Sequence, residues 1–102
     1  MYTYRIAPSA KQDLLDIREY IRNTLMAPDS AENLMRAFEQ AFSDACRFPL
    51  SLPPVSDPHL QAKGYRKIIV KNYIALVLID CESDCVDIMR IVFYARNYQR
   101  LL

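Results

Sequence analysis

Residues 64–98, GYRKIIVKNYIALVLIDCESDCVDIMRIVFYARNY, decide the fold. Three runs rich in Ile, Val, Leu and Tyr are separated by short polar breaks at Lys71-Asn72 and Glu82-Ser83-Asp84, the pattern of an antiparallel meander. The middle run, Tyr73 to Ile79, lacks polar alternation, which predicts a central strand covered on both faces. The preceding chain is expected to cover one of those faces. Gly64, the only glycine, stands where the meander opens and is expected to relieve a backbone constraint there. In the last run, Val86, Ile88, Arg90, Val92 and Tyr94 alternate with Asp87, Met89, Ile91 and Phe93, so Arg90 and Tyr94 share a face unless a bulge intervenes.

Upstream, Tyr2 to Ala7 alternates as a first strand would, and Pro8 stops it. Ala10, Leu14, Ile17, Ile21 and Leu25 then form one apolar helical stripe that must be buried, with Ser9 and Gln12 at capping-box spacing. Pro28 ends that helix. Asp29 and Glu32 repeat the capping signal, and Ala31, Leu34, Phe38, Phe42 and Ala45 mark a second helix running to Phe48. The short link between the helices predicts an antiparallel hairpin. Residues 49–63 hold four of the six prolines and the single histidine, His59, and read as an irregular crossing from helix to sheet. The fold class is therefore α+β: an N-terminal strand, an antiparallel helical hairpin, then a three-stranded antiparallel meander.

At 102 residues, 52% of them hydrophobic, the chain is one domain, 1–102, with a single modest core. No apolar run approaches the roughly 20 residues that span a bilayer, and the N-terminus lacks a charged-then-apolar signal layout. A cytoplasmic location with no membrane partner is expected. Cys46, Cys81 and Cys85 are odd in number and not closely paired, which supports neither a disulfide framework nor a zinc site; no metal or cofactor is expected.

The net charge of +1 is low for a protein that grips nucleic acid unaided. It is unevenly spread. Residues 1–62 carry six Lys/Arg against eight Asp/Glu, and residues 63–102 carry seven against four, so the meander and tail form the basic half. Arg66, Arg90, Tyr94, Arg96, Tyr98 and Arg100 fall on or after the strands. Guanidinium groups hold phosphate or carboxylate bidentately, and tyrosine stacks on a base or passes a proton, so these are the candidate catalytic or target-contact residues. Each also has a plainer reading. An arginine at a strand end pairs with a nearby acid, Arg90 with one of the helix acids, and Tyr94 and Tyr98 sit equally well at a core edge. His59 reads as a surface residue, and Asp13, Asp16, Glu19, Glu32 and Glu39 as a wet helix face.

Several motifs together carry a family resemblance: Y-x-Y-R-I from Tyr2, S-A-K-Q-D-L-x-D-I-x-x-Y-I from Ser9, R-F-P at Arg47, G-Y-R at Gly64, N-Y at Asn72, and R-I-V-F-Y-A-R-N-Y-Q-R-L-L from Arg90. Over nearly its whole length the chain resembles a RelE/ParE superfamily toxin of bacterial type II toxin–antitoxin systems. The resemblance implies growth inhibition, neutralisation by a cognate antitoxin, and contact with operator DNA only through that antitoxin. It also implies one of two targets. RelE-like members cut mRNA on the ribosome without a metal, leaving a 2′,3′-cyclic phosphate; ParE-like members poison DNA gyrase and lack that catalytic set.

On the ribonuclease pattern, the basic position entering the meander falls on Arg66 or Lys67, and Arg96 and Tyr98 fall near the C-terminal Arg and Tyr. An arginine often found after the central aromatic falls on Ile74, and a late histidine falls on Phe93. Metal-free RNA cleavage needs a cation against the charge building on phosphorus, which isoleucine does not supply. The resemblance therefore leans toward a ParE-like, non-hydrolytic toxin directed at DNA gyrase. The alternative is a ribosome-dependent mRNA endoribonuclease using Arg66, Arg90, Tyr94, Arg96 or Tyr98.

Overall fold

The computed structural model describes residues 1–94. Strand β1 (Thr3–Ile6) leads into helix α1 (Pro8–Glu19), which continues as a π-helical turn over Tyr20–Thr24, and helix α2 (Pro28–Ala45) returns beside it. A 3-10 turn (Pro49–Ser51) and short helix α3 (Pro58–Ala62) precede β2 (Arg66–Val70), β3 (Tyr73–Asp80) and β4 (Cys85–Phe93). The four strands form one sheet in the order β1-β4-β3-β2. β1 lies parallel to β4, and the other pairs are the antiparallel meander that the three apolar runs and their two polar breaks predict.

Both helices start differently from expectation. Neither Ser9 nor Asp29 caps its helix; Ala7 and Ala27 occupy the N-cap positions with no side-chain bond, and Pro8 and Pro28 each open the first turn. Proline there brings its fixed φ and has no N–H to satisfy, so a side-chain acceptor is less needed. Pro28 thus begins α2, while the first helix has already ended at Thr24. The Gln12 amide donates to Asp16 instead, at 2.8 Å, and Glu32 accepts from Arg18 Nε, also at 2.8 Å.

The α2 stripe is buried along its whole length, from Ala31 through Leu34, Phe38 and Phe42 to Ala45. From Leu34 onward it meets Ile68, Val70, Ala75, Val77, Val86, Ile88 and Ile91 on the sheet. The α1 stripe is only half covered: Ala10 is fully buried, Leu14, Ile17 and Ile21 partly, and Leu25 is 54% exposed. The π-helical turn shifts the helical phase after Glu19, so Leu25 no longer projects along the stripe that began at Ala10.

The central strand is covered on both faces, but the proline-rich segment does half of this. Val55 and Leu60, with Tyr65, pack on Ile74, Leu76 and Val92, forming a second small core on the face away from α2. Residues 49–63 are therefore a lid on the sheet as well as a crossing. Asp57 Oδ2 caps α3 by accepting from the Leu60 N–H at 3.0 Å. Gly64 closes it with φ +90°; its N–H donates to the Gln61 carbonyl at 2.9 Å and that of Tyr65 to the Leu60 carbonyl at 3.1 Å. This is a Schellman ending, in which the left-handed position favours glycine and the next residue packs back on the helix.

One register shift reshapes β4. Val77 pairs with Ile88 but Leu76 with Arg90, leaving Met89 unmatched as a bulge. The run therefore does not keep one face inward throughout: Val86 and Ile88 lie in the helix-side core, as does Ile91, while Val92 lies in the other.

Candidate interaction surface

β1 pairs with β4 only as far as Ile6 with Ile88, and the chain then rises into α1. The outer edge of β4 beyond Ile88 consequently faces the side of α1. One α1 residue closes that gap: Asp13 accepts from Arg90 Nε at 2.8 Å and Nη2 at 3.1 Å, and from the Ile91 N–H at 2.9 Å. The carboxylate thus satisfies the backbone donor that the bulge and the end of β1 leave without a strand partner. Its side chain is only 15% exposed, so it is not part of a wet face, contrary to the helical-wheel expectation. Its negative charge and hydrogen bonds raise the pKa of Arg90 further above the usual arginine value.

Beside this pair lies a cleft of about 530 Å³, lined by Asp13, Asp16, Tyr20, Tyr73, Arg90 and Phe93 among others. Its walls are aromatic. Phe38 from the core touches Tyr73 edge-on with ring centroids 5.8 Å apart, and Tyr73 touches Phe93 at 5.4 Å. The ladder leads from the buried centre of α2 to Phe93 at the surface, with exposed Tyr20 on the facing helix and exposed Tyr94 at the strand end. Burial, and then the neighbouring Tyr20, push the Tyr73 phenol up, so it stays protonated at neutral pH.

The sequence candidates take three separate places. Arg66 Nη1 donates to the carbonyls of Leu50 and Leu52 at 3.1 and 2.7 Å, pinning the 3-10 turn to the start of β2. Arg66 pairs with Val77 and Arg90 with Leu76 across the two edges of β3, so their backbones lie two strand spacings, about 10 Å, apart. Their guanidinium groups then diverge, one to the 50–52 carbonyls and one to α1. Tyr94 stands at the far end of the sheet, its N–H donating to the Asn72 carbonyl at the β2–β3 turn. His59 is exposed on α3. Arg96, Tyr98 and Arg100 lie outside the described residues.

Asp13, Tyr20 and Tyr73 are the site residues that sequence reasoning missed. A signal was present for the first: Asp13 lies four residues before Ile17 and three after Ala10, on the shoulder of the apolar stripe, where a carboxylate needs a partner. Among the described residues no group of three or more His, Cys, Asp or Glu could hold a metal ion.

A strand, a helical hairpin and a meander, with exposed Tyr20, Phe93 and Tyr94 along one margin, are the architecture shared with small toxins of type II toxin–antitoxin systems. Residues 4–98 match the family described as the ParE toxin of the type II toxin–antitoxin system parDE, and the chain belongs to that family. Two solved structures are similar. A structure described as the chromosomal ParDE system of P. aeruginosa aligns over 91% of this chain and 96% of its own, with a TM-score of 0.74 and 16% identity, a likeness of fold alone. The RelBE2 toxin–antitoxin complex of Mycobacterium tuberculosis aligns over 93% of each chain, with a TM-score of 0.63 and 26% identity. No curated protein matches the sequence.

Proposed function

We propose that this toxin acts without hydrolysis, by binding DNA gyrase in the bacterial cytoplasm and so arresting growth, until a cognate antitoxin covers it. The observation that carries the reading is the fate of Arg66 and Arg90, the two candidate arginines among the described residues. Arg66 holds backbone carbonyls and Arg90 holds Asp13, so neither is positioned beside the other or beside Tyr94 to share a phosphate. Metal-free cleavage of RNA needs an acid, a base and a cation around one phosphorus. Exposed Tyr20, Phe93 and Tyr94 instead form a margin suited to contact with a protein, since aromatic side chains dominate the energetics of such interfaces.

The experiment is a supercoiling assay with purified gyrase. Inhibition at toxin concentrations comparable to the enzyme supports the reading. Full supercoiling at large toxin excess would remove it.

The second reading is a ribosome-dependent mRNA endoribonuclease, favoured by one observation: the RelBE2 structure shares more identity with this chain than the ParDE structure does. Arg66, Arg90 and Tyr94, with Arg96 and Tyr98 outside the described residues, are its candidate catalytic groups. It requires mRNA ends at the ribosomal A site after induction. Gyrase in the same cells would be unaffected.

A further inference from the structure

The cleft between α1 and the end of β4 is charged along one wall and aromatic around its mouth. Asp13, Asp16 and Tyr20 line it at steps of three and four, so a single face of α1 supplies that wall. The Tyr20 N–H still donates to the Asp16 carbonyl, which sets these two side chains one helical turn apart. Tyr73 and Phe93 line the cleft from the sheet, their rings in edge-on contact with centroids 5.4 Å apart. Tyr20 and Phe93 are 54% and 39% exposed, which leaves ring surface open to an occupant.

Charge is sorted between the two sides of α1. Its basic side chains, Lys11 and Arg18, line the hollow toward α2, where Arg18 pairs with Glu32 at 2.7 Å. On the cleft side Asp13 and Arg90 neutralise each other. Asp16 is exposed and belongs to no ion pair among the described residues, where such pairs involve Arg5, Arg18 and Arg90. The Gln12 amide donates to its Oδ1 at 2.8 Å, a neutral partner that orients the carboxylate and leaves its charge uncompensated. The cleft therefore sets an excess negative charge beside aromatic rings.

We propose that this cleft takes one arginine side chain of the target protein, its guanidinium held by Asp16 and lying against the rings of Tyr20 and Phe93. The proposal rests on the reading of this margin as a protein-contact surface and names what the surface grips. A planar cation suits both parts of the site: it donates two parallel hydrogen bonds to a carboxylate and stacks on an aromatic face. Lysine, a compact and strongly hydrated point charge, gains less from the rings. An anionic group is disfavoured, because Asp13 already occupies Nε and Nη2 of Arg90 and Asp16 repels it. A purely apolar side chain would take water from the Asp16 carboxylate and return no partner.

The test is a titration of the isotope-labelled full chain with the blocked pentapeptide Gly-Ser-Arg-Ser-Gly, followed at the ring signals of Tyr20 and Phe93. The same peptide with citrulline, the neutral isostere, in place of Arg is the comparison. The expected result is saturable movement of both ring signals with the Arg peptide at millimolar concentration, and binding of the citrulline peptide weaker by about fivefold or more. Asp16→Asn should lose a similar factor toward the Arg peptide, and its otherwise retained spectrum reports that it folds. In the supercoiling assay the same variant should need about tenfold more toxin than wild type. Ring signals unmoved at tens of millimolar Arg peptide, equal binding of the two peptides, or an Asp16→Asn variant that stops gyrase as well as wild type would each overturn the proposal, the last while leaving the gyrase reading intact. Selective binding of the Arg peptide beside undiminished supercoiling would remove gyrase as the target and keep the arginine site.

Discussion

Asp13 and Arg90, 77 positions apart in sequence, meet bidentately across the gap between α1 and β4, and the same carboxylate accepts the Ile91 N–H. Ile91 is 4% exposed, so removing the acceptor leaves a buried donor unpaired as well as breaking the ion pair. Asp13→Ala should cost about 2–3 kcal/mol, chiefly for the orphaned amide. Arg90→Ala should cost less, about 1 kcal/mol, because the guanidinium is 35% exposed and the amide keeps its partner. Urea denaturation of both single variants and the double variant measures the difference. Equal costs would mean that the ion pair, not the amide, is what matters.

Gly64 at φ +90° ends α3, and the nearest atom to an added Cβ is Leu78 Cδ2 at 4.0 Å. Space is therefore available and only the backbone objects. Gly64→Ala is expected to lower stability by about 1 kcal/mol, from the left-handed conformation alone. A thermal or urea melt checks it, and a loss several times larger would show that the second core depends on this turn.

Phe42 is 1% exposed, with its ring 5.4 Å from Tyr4 and 6.0 Å from Phe38. Phe42→Ala should cost about 3–5 kcal/mol through lost contact and the cavity left behind. For a domain of this size that is a large part of the total stability, so the variant is expected to melt far earlier or fail to accumulate.

Asp80 closes the β3–β4 turn, accepting the N–H groups of Glu82 and Ser83 at 3.1 Å each, and it also meets Arg5 at 3.2 Å. These bonds, the Ser83 amide first, hold its carboxyl below the usual 3.8. A depressed folded-state value means that the contribution is complete above that figure and is lost as pH falls through the lower one. The urea midpoint should therefore fall between pH 5 and pH 3 more steeply for the wild-type chain than for Asp80→Asn. Parallel lines would show that the turn adds nothing to acid sensitivity.

The element order was legible because the signals were local: a seven-residue apolar run for β3, a four-turn stripe for α2, two polar breaks for the turns. Features that depend on distant partners were not. The bulge at Met89 arises from pairing with β3, and it rearranged the faces that simple alternation assigned to β4. The cover supplied by Val55 and Leu60 comes from a proline-rich stretch whose periodicity says nothing about where it lands. Of the site, the sequence yielded Arg90 and the idea of an acid partner, but not which acid, because α1 carries several carboxylates and only the fold selects Asp13.

Tyr20 and Phe93, facing each other across the cleft, should matter more to toxicity than any hydroxyl. Phe93→Ala and Tyr20→Ala are expected to raise the dose needed for growth arrest at least tenfold, an interface loss of about 1.4 kcal/mol or more. Tyr94→Phe keeps the ring and removes only the hydroxyl, and its effect should stay under about twofold. A Tyr94→Phe variant that abolished arrest would indicate proton transfer and the ribonuclease reading.

The most direct measurement pairs two reactions on one preparation of purified toxin: supercoiling by gyrase and cleavage of mRNA on programmed ribosomes. A contact-based toxin stops supercoiling at concentrations comparable to the enzyme and leaves the mRNA whole. Undiminished supercoiling at large excess, together with mRNA cut at the A site, would contradict it.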